Sequence, residues 1–243
     1  MRHAGLILLL PTMILAIASL APAQTLAFRC DFDADMVGLP PALTPPGDPD
    51  GDALEISQSG GTVLVQSDLL DLDQQPLVIS RQAVGSLYAR FLTDPDVRDC
   101  LTYIIRWDQV LDRYAGFFYI AFHSPNSKTM GSVEFRSGGQ MTANGSNHVL
   151  DATYAPGTVV SIEVRLDIAD GLMDVSVNGV PDPSGQDLGP VQGGGDGLKD
   201  ISTGFGLVDT YTVALDNLEI VGLNCGGVAN EAVSWGELKA RYR

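Results

Sequence analysis

The sequence predicts an all-β chain of short antiparallel strands stacked as a sandwich or barrel. Three observations carry this. The stretch "VSIEVRLDIADGLMDVSVNGV" alternates apolar and polar residues along both arms of a hairpin. Roughly a dozen strand-like segments recur along the chain, with most of its 27 Gly and 14 Pro between them. No segment before residue 230 places apolar residues at helical spacing.

Taken in order, the chain opens with Arg2 and His3, an apolar run from Ala4 to Leu20, and Ala21-Pro22-Ala23. A basic n-region, an h-region and an A-x-A site read as a secretory signal peptide over residues 1–23. Residues 24–225 form the domain, long enough to bury a core. Its strands are expected at Leu26–Phe32, Ala53–Ile56, Thr62–Gln66, Leu77–Arg81, Leu101–Trp107, Gly116–Phe122 and Ser132–Arg136. In Gly116–Phe122 both faces are apolar, so this strand is expected to be central and covered on both sides. The hairpin follows. Val160, Ile162, Val164, Leu166 and Ile168 face one way, as do Met173, Val175 and Val177 on the return. Asp170-Gly171 turns the corner, where Gly supplies a positive φ. Residues 181–200 read as a long loop, and Ile201–Val208 and Val213–Val221 complete the strands. Beyond a Gly226-Gly227 hinge, residues 226–243 read as a short helical tail. Ser234 and Glu237 fit a capping box, and Trp235, Leu238 and Tyr242 share one face. The tail is a candidate for recognition by an attachment partner, and Gly236 weakens it by about 1 kcal/mol relative to Ala.

Charge and cysteine content bound the function. The net charge is −16, and removal of residues 1–23 takes away one Arg and no acid. So acidic a chain repels phosphate backbones and anionic membranes, which argues against nucleic acid and against membrane insertion after signal cleavage. Its acids suit solubility outside the cell, or Ca²⁺. Cys30, Cys100 and Cys225 enter an oxidising compartment, where three pairings are open. Cys30 with Cys225, near the two ends of the domain, is the favoured one.

Four stretches, "CDFDADMVGLPPAL", "GDALEI", "IEVRLDIADGLMDVSVNGV" and "TVALDNLEIVG", occur in this order. Together they resemble the concanavalin A-like lectin/glucanase domains of the laminin-G-like type, over about residues 25–223. The resemblance implies an antiparallel two-sheet jelly-roll sandwich with the first and last strands side by side. It also implies a structural Ca²⁺ between acids of those strands, for which Asp33 and Asp216 are the matching positions. In an antiparallel pair, facing residue numbers have a constant sum. Opposing Asp33 to Asp216 requires 249, whereas bridging Cys30 to Cys225 requires 255. Six residues is about 20 Å of strand, so unless a large bulge intervenes the two expectations exclude one another. Register 249 would turn Cys225 toward Cys100 or leave it free. Asp216-Asn217 also marks a slip of the apolar phase, as a bulge would.

Catalytic signatures are scarce. The family's Glu-x-Asp-x-Glu run is absent, and Glu163 and Asp167 sit on the outer face of the hairpin. His123 and His148 lie near no Gly-x-Ser-x-Gly turn, and "GGGDG" at 193–197 lacks a phosphate loop's Lys-Ser/Thr ending. Asp48–Asp52 begins like an EF-hand loop but has Ala53 and Ser59 where Gly and Glu belong. Asn144-Gly145-Ser146 reads first as an Asn-Gly turn, and as a glycosylation sequon only in a eukaryotic secretory route. Aromatic platforms for sugar CH faces remain, with Tyr114, Trp107, Tyr119 and Tyr103 as candidates, although Trp107 and Tyr103 at alternate strand positions read first as core. The expected function is a secreted, non-enzymatic module that binds a glycan or an extracellular protein surface. A polysaccharide hydrolase and a structural envelope protein held by its tail are the alternatives.

Overall fold

The structure, a computed structural model, describes residues 24–43, 55–67, 72, 75–93, 98–144, 148–189, 197–206 and 210–225. The expected signal peptide, the Asp48–Asp52 turn and the tail with Trp235, Leu238 and Tyr242 lie outside the described residues.

Fifteen strands are described. They are β1 (Gln24–Cys30), β2 (Glu55–Gln58), β3 (Gly61–Val65), β4 (Leu77–Arg81), β5 (Leu87–Leu92), β6 (Thr102–Leu111), β7 (Phe117–His123) and β8 (Thr129–Arg136). They continue with β9 (Gln140–Ala143), β10 (His148–Thr153), β11 (Val160–Asp167), β12 (Leu172–Val177), β13 (Val180–Pro181), β14 (Asp200–Phe205) and β15 (Thr212–Leu223). Two antiparallel sheets stack face to face. The eight-stranded sheet runs β13-β12-β11-β6-β15-β4-β3, and β1 and β4 lie end to end along the flank of β15 opposite β6. The seven-stranded sheet runs β10-β9-β8-β7-β14-β5-β2. First and last strands are therefore neighbours, as the resemblance implies.

Alternation builds the core. In the β11–β12 hairpin, Ile162 pairs with Val177, Val164 with Val175 and Leu166 with Met173, all buried. Facing them from the other sheet are Phe118, Ile120 and Phe122 of β7 with Val133 and Phe135 of β8. Rings interlock at 5.9 Å between Phe28 and Phe91 and at 6.4 Å between Trp107 and Phe122.

The β1–β15 ladder settles the cysteine conflict. Cys30 stands opposite Leu218, a sum of 248, seven residues short of Cys225. The expected Cys30–Cys225 bridge is therefore corrected: Cys225 joins Cys100, and Cys30 is buried at the end of β1, outside the disulfide. The bridge packs on Gly222, where a Cβ would lie 2.4 Å from the Cys100 Sγ, so no larger residue fits without a shift. The bulge is also present. The pairing of β15 with β6 shifts by one residue between Asp216 opposite Asp108 and Glu219 opposite Arg106, and Asn217 takes φ +52°.

Two expectations change. The loop over 181–200 is tied down in its first half. The Asp182 carboxylate accepts backbone N–H groups of Ala152 at 2.7 Å and Ser184 at 3.0 Å, and Leu188 bridges Met173. Strand β7 is central but is not covered on both sides. Its outward residues Phe117 and Tyr119 are half-buried, and no further layer of described residues packs over them.

Candidate functional site

The outward face of the seven-stranded sheet gathers charged and aromatic groups around a floor of small residues. Cross-strand register makes this arrangement, because residues directly opposite share a face. One row runs Glu55, Arg90, Ser202, Ala121 and Ser132 across β2, β5, β14, β7 and β8. The adjacent row places Gly204, Tyr119, Glu134 and Thr142 side by side. Ser202, Gly204 and Ala121 leave the middle low. The Tyr119 ring lies over Gly204, where a Cβ would come within 2.1 Å of its Cζ.

On one side of the floor, Arg90 organises a cluster. Its Nη1 donates to Glu55 Oε2 at 2.7 Å, and its guanidinium lies 5.6 Å from the Tyr88 ring centroid. Tyr88 donates its hydroxyl to the other oxygen of Glu55, and that bond raises the phenol's pKa. Arg90 Nε stands 3.7 Å from Asp200 Oδ1, too far for a hydrogen bond. Both atoms are buried without a hydrogen-bond partner among the described residues. Asp200 stands opposite His123, and His123 Nε2 lies 2.7 Å from Ser202 Oγ.

Burial dominates the titration of this pair. It lowers the pKa of His123, assisted by Arg90 and Lys199 and opposed by Asp200. It raises that of Asp200, with His123, Arg90 and Lys199 pulling the other way. Both shifts favour the uncharged forms.

On the opposite side, Glu134 is held on both oxygens. Oε2 accepts Thr142 Oγ1 at 2.9 Å and Arg136 Nε at 3.1 Å, and Oε1 accepts Ser132 Oγ at 3.3 Å. Arg136 also covers Phe117, 4.8 Å from its centroid, and Phe117 lies 5.3 Å from Tyr119. Glu134 is thus a fixed anchor for Arg136, with no oxygen to spare for acid–base work.

A second concavity, a groove of about 420 Å³, crosses the outward face of the eight-stranded sheet. Most of its charges neutralise one another. Arg106 bonds Glu163 at 2.7 Å and Glu219 at 3.0 Å, while Asp108 accepts the amide of Asn217 at 3.0 Å. Arg90 Nε and Asp200 Oδ1, buried without a hydrogen-bond partner among the described residues, stand instead on the seven-stranded sheet.

Of the residues expected from sequence, Tyr119 lies in the site. Tyr114 is 49% exposed in the β6–β7 turn, edge-on to Tyr154 at 5.8 Å. Trp107 is corrected: it is a core residue, 2% exposed, donating Nε1 to Gln109 Oε1 at 2.8 Å, so its ring offers no surface platform. Asp33 is exposed beyond the end of β1, whereas Asp216 is buried. Among the described residues no three His, Cys, Asp or Glu side chains stand together as a metal cage. Sequence reasoning missed Tyr88, Arg90, Asp200 and Ser202. Their signal was alternation in "LYARFL" and "DISTGF", with meaning only once the strands are placed side by side.

No protein-family profile matches the sequence, and no curated protein matches it. Solved structures do resemble it. The alginate lyase Aly36B aligns with a TM-score of 0.50 and 12% identity over 85% of this chain and 99% of that one. The globular domain of T. cruzi calreticulin aligns with a TM-score of 0.46 and 12% identity, covering 90% of this chain and 96% of that one. A sialidase aligns with a TM-score of 0.48 and 16% identity over 69% of this chain, which spans 18% of the sialidase's length. At these identities a likeness speaks for architecture alone. With Aly36B this chain shares the two-sheet jelly-roll sandwich.

Proposed function

We propose that the protein is an exported glycan-binding module that recognises its ligand across the outward face of the seven-stranded sheet. One observation carries the reading: the half-buried Tyr119 ring lies over Gly204 beside Phe117, between two pre-ordered arginine–carboxylate clusters. Rings offer apolar area to sugar CH faces, and fixed donor–acceptor pairs suit vicinal hydroxyls. The Cys100–Cys225 disulfide supports export to an oxidising compartment. The alginate lyase that shares the fold has a polysaccharide in its name, which agrees with this reading; the surface chemistry is its basis.

A glycan array, followed by calorimetry on any hit, tests it. Tyr119→Ala should weaken binding at least about tenfold, or about 1.4 kcal/mol. An EDTA arm reads whether the calcium expected at Asp33 and Asp216 contributes. Silence of the wild-type protein across the array, or equal binding by Tyr119→Ala, would refute the reading.

A further inference from the structure

We propose that Ser202, His123 and Asp200 form a hydrolytic centre for carboxylic esters, with Ser202 Oγ as nucleophile, His123 as general base and Asp200 as the positioning acid. The three come from two neighbouring strands of one sheet face. Asp200 and His123 are direct cross-strand partners, and Ser202 pairs with Ala121, the next residue of β7 on that face. The diagonal from Ser202 to His123 is about 7–8 Å between backbones. The imidazole spans it and brings Nε2 to 2.7 Å from Oγ, the separation of a nucleophile from its base.

Two further observations separate this from an ordinary surface Ser–His contact. Asp200 is 3% exposed, yet its Oδ1 has no hydrogen-bond partner among the described residues. A buried acceptor without a donor is costly, and a small turn of the imidazole that carries its Nδ1–H toward Oδ1 would supply one. Arg90, the register partner of Ser202 on β5, likewise has a buried Nε without a partner among the described residues. It places positive charge beside the point where an oxyanion would develop. Ala121, opposite Ser202 on β7, presents little bulk against an approaching carbonyl, while the Tyr119 ring fills the space over Gly204. Burial lowers the proton affinity of the imidazole, which favours the neutral form a general base requires.

The chemistry closes without a cofactor. Ser202 Oγ bonds to the ester carbonyl carbon while its proton passes to His123 Nε2. The tetrahedral oxyanion faces Arg90. The carbon–oxygen bond to the alcohol then breaks, and the alcohol leaves with the proton from Nε2. Water attacks the acyl-serine, gives its proton to His123, and restores Ser202 as the acid departs. The centre shares its face with Tyr119, which makes an O-acyl ester on a sugar hydroxyl the substrate class. That assignment rests on the glycan reading, whereas ester cleavage itself does not.

The test uses the full chain with p-nitrophenyl acetate and a fluorophosphonate probe, and the labelled residue is located by peptide mapping. The probe should modify Ser202, and Ser202→Ala and His123→Ala should each lower the rate at least about 100-fold. His123 is faced by Asp200, Arg90 and Lys199, with Thr129 opposite it on β8. Asp200→Asn removes the carboxylate that raises the proton affinity of His123. Its acid limb of activity should therefore move to lower pH, which loss of structure alone would not produce. A label on another residue, an unlabelled inactive wild type, or a Ser202→Ala rate within twofold of wild type would overturn the centre. If Ser202→Ala does not fold, Ser202→Cys replaces it, and alkylation no faster than that of a simple thiol overturns the proposal. The two readings fail separately. Ester cleavage without glycan binding removes only the sugar assignment, and glycan binding without cleavage removes only the centre.

Discussion

Replacing Cys100 and Cys225 together with serine tests the corrected connectivity and has a magnitude that the structure sets. The bridge spans 125 residues of chain. Closing a loop of that length removes about 16.5 cal/mol/K from the unfolded ensemble in the chain-entropy model, or about 4.9 kcal/mol at room temperature. A domain of about 200 residues unfolds with about 0.42 kcal/mol/K of entropy, so the melting temperature should fall by about 12 °C. Thermal melts followed by circular dichroism, together with urea titrations, measure both quantities. Cys30→Ala is the control: it trims one buried thiol and should cost only about 1 kcal/mol. The reasoning fails if the double variant loses less than about 1 kcal/mol, or if peptide mapping without reductant finds Cys30 joined to Cys225.

Two other outcomes follow from the site. Burial lowers the folded pKa of His123 from its ordinary 6.5, so below that value the unfolded chain binds more protons and stability falls with acidification. His123→Gln should remove this part of the acid-side loss, leaving a flatter stability profile just below 6.5 in urea titrations at several pH values; Asp200, whose folded pKa is raised above 3.8, acts in the opposite sense. Gly204→Val places a Cβ 2.1 Å from the Tyr119 ring and must swing it away. Because that ring is a movable side chain on the outer face, the expected cost in stability is only about 1 kcal/mol, with glycan binding lost on the same array.

The parts of the fold that were legible are those whose pattern is local. The β11–β12 hairpin follows from period-2 alternation and one Asp-Gly turn, and the bulge at Asp216-Asn217 from a slip of apolar phase. Strand β5 was missed although Leu87, Ala89 and Phe91 alternate inward, because Tyr88 and Leu92 point outward and blur the pattern. Strands β9 and β10 were missed because they are short and polar, with Val149 facing solvent. The same local view misjudged β7. Two apolar faces in a strand suggest cover on both sides, but Phe117 and Tyr119 face the open side of the sheet. The site was illegible for a different reason. His123 lies 77 residues before Asp200 in the chain, and only the β7–β14 register brings them together.

The two outer faces show where function belongs on this sandwich. On the eight-stranded sheet, the salt bridges from Arg106 to Glu163 and Glu219 are partly exposed, and each is worth at most about 1 kcal/mol. Leu72 closes over Val78, Val110 and Ala214 nearby. That face obeys the ordinary rules of a stable surface. The seven-stranded sheet departs from them. It keeps a buried carboxylate oxygen and a buried guanidinium nitrogen 3.7 Å apart, with no hydrogen bond between them, and each unsatisfied group costs about 1–3 kcal/mol. Solvated Lys and Glu at positions 90 and 200 would meet the needs of solubility more cheaply. Local rules are broken in native proteins chiefly where a ligand or a reaction needs the broken arrangement. Arg90 and Asp200, flanking Ser202 beside the small Ala121, are where this molecule gives up stability for chemistry.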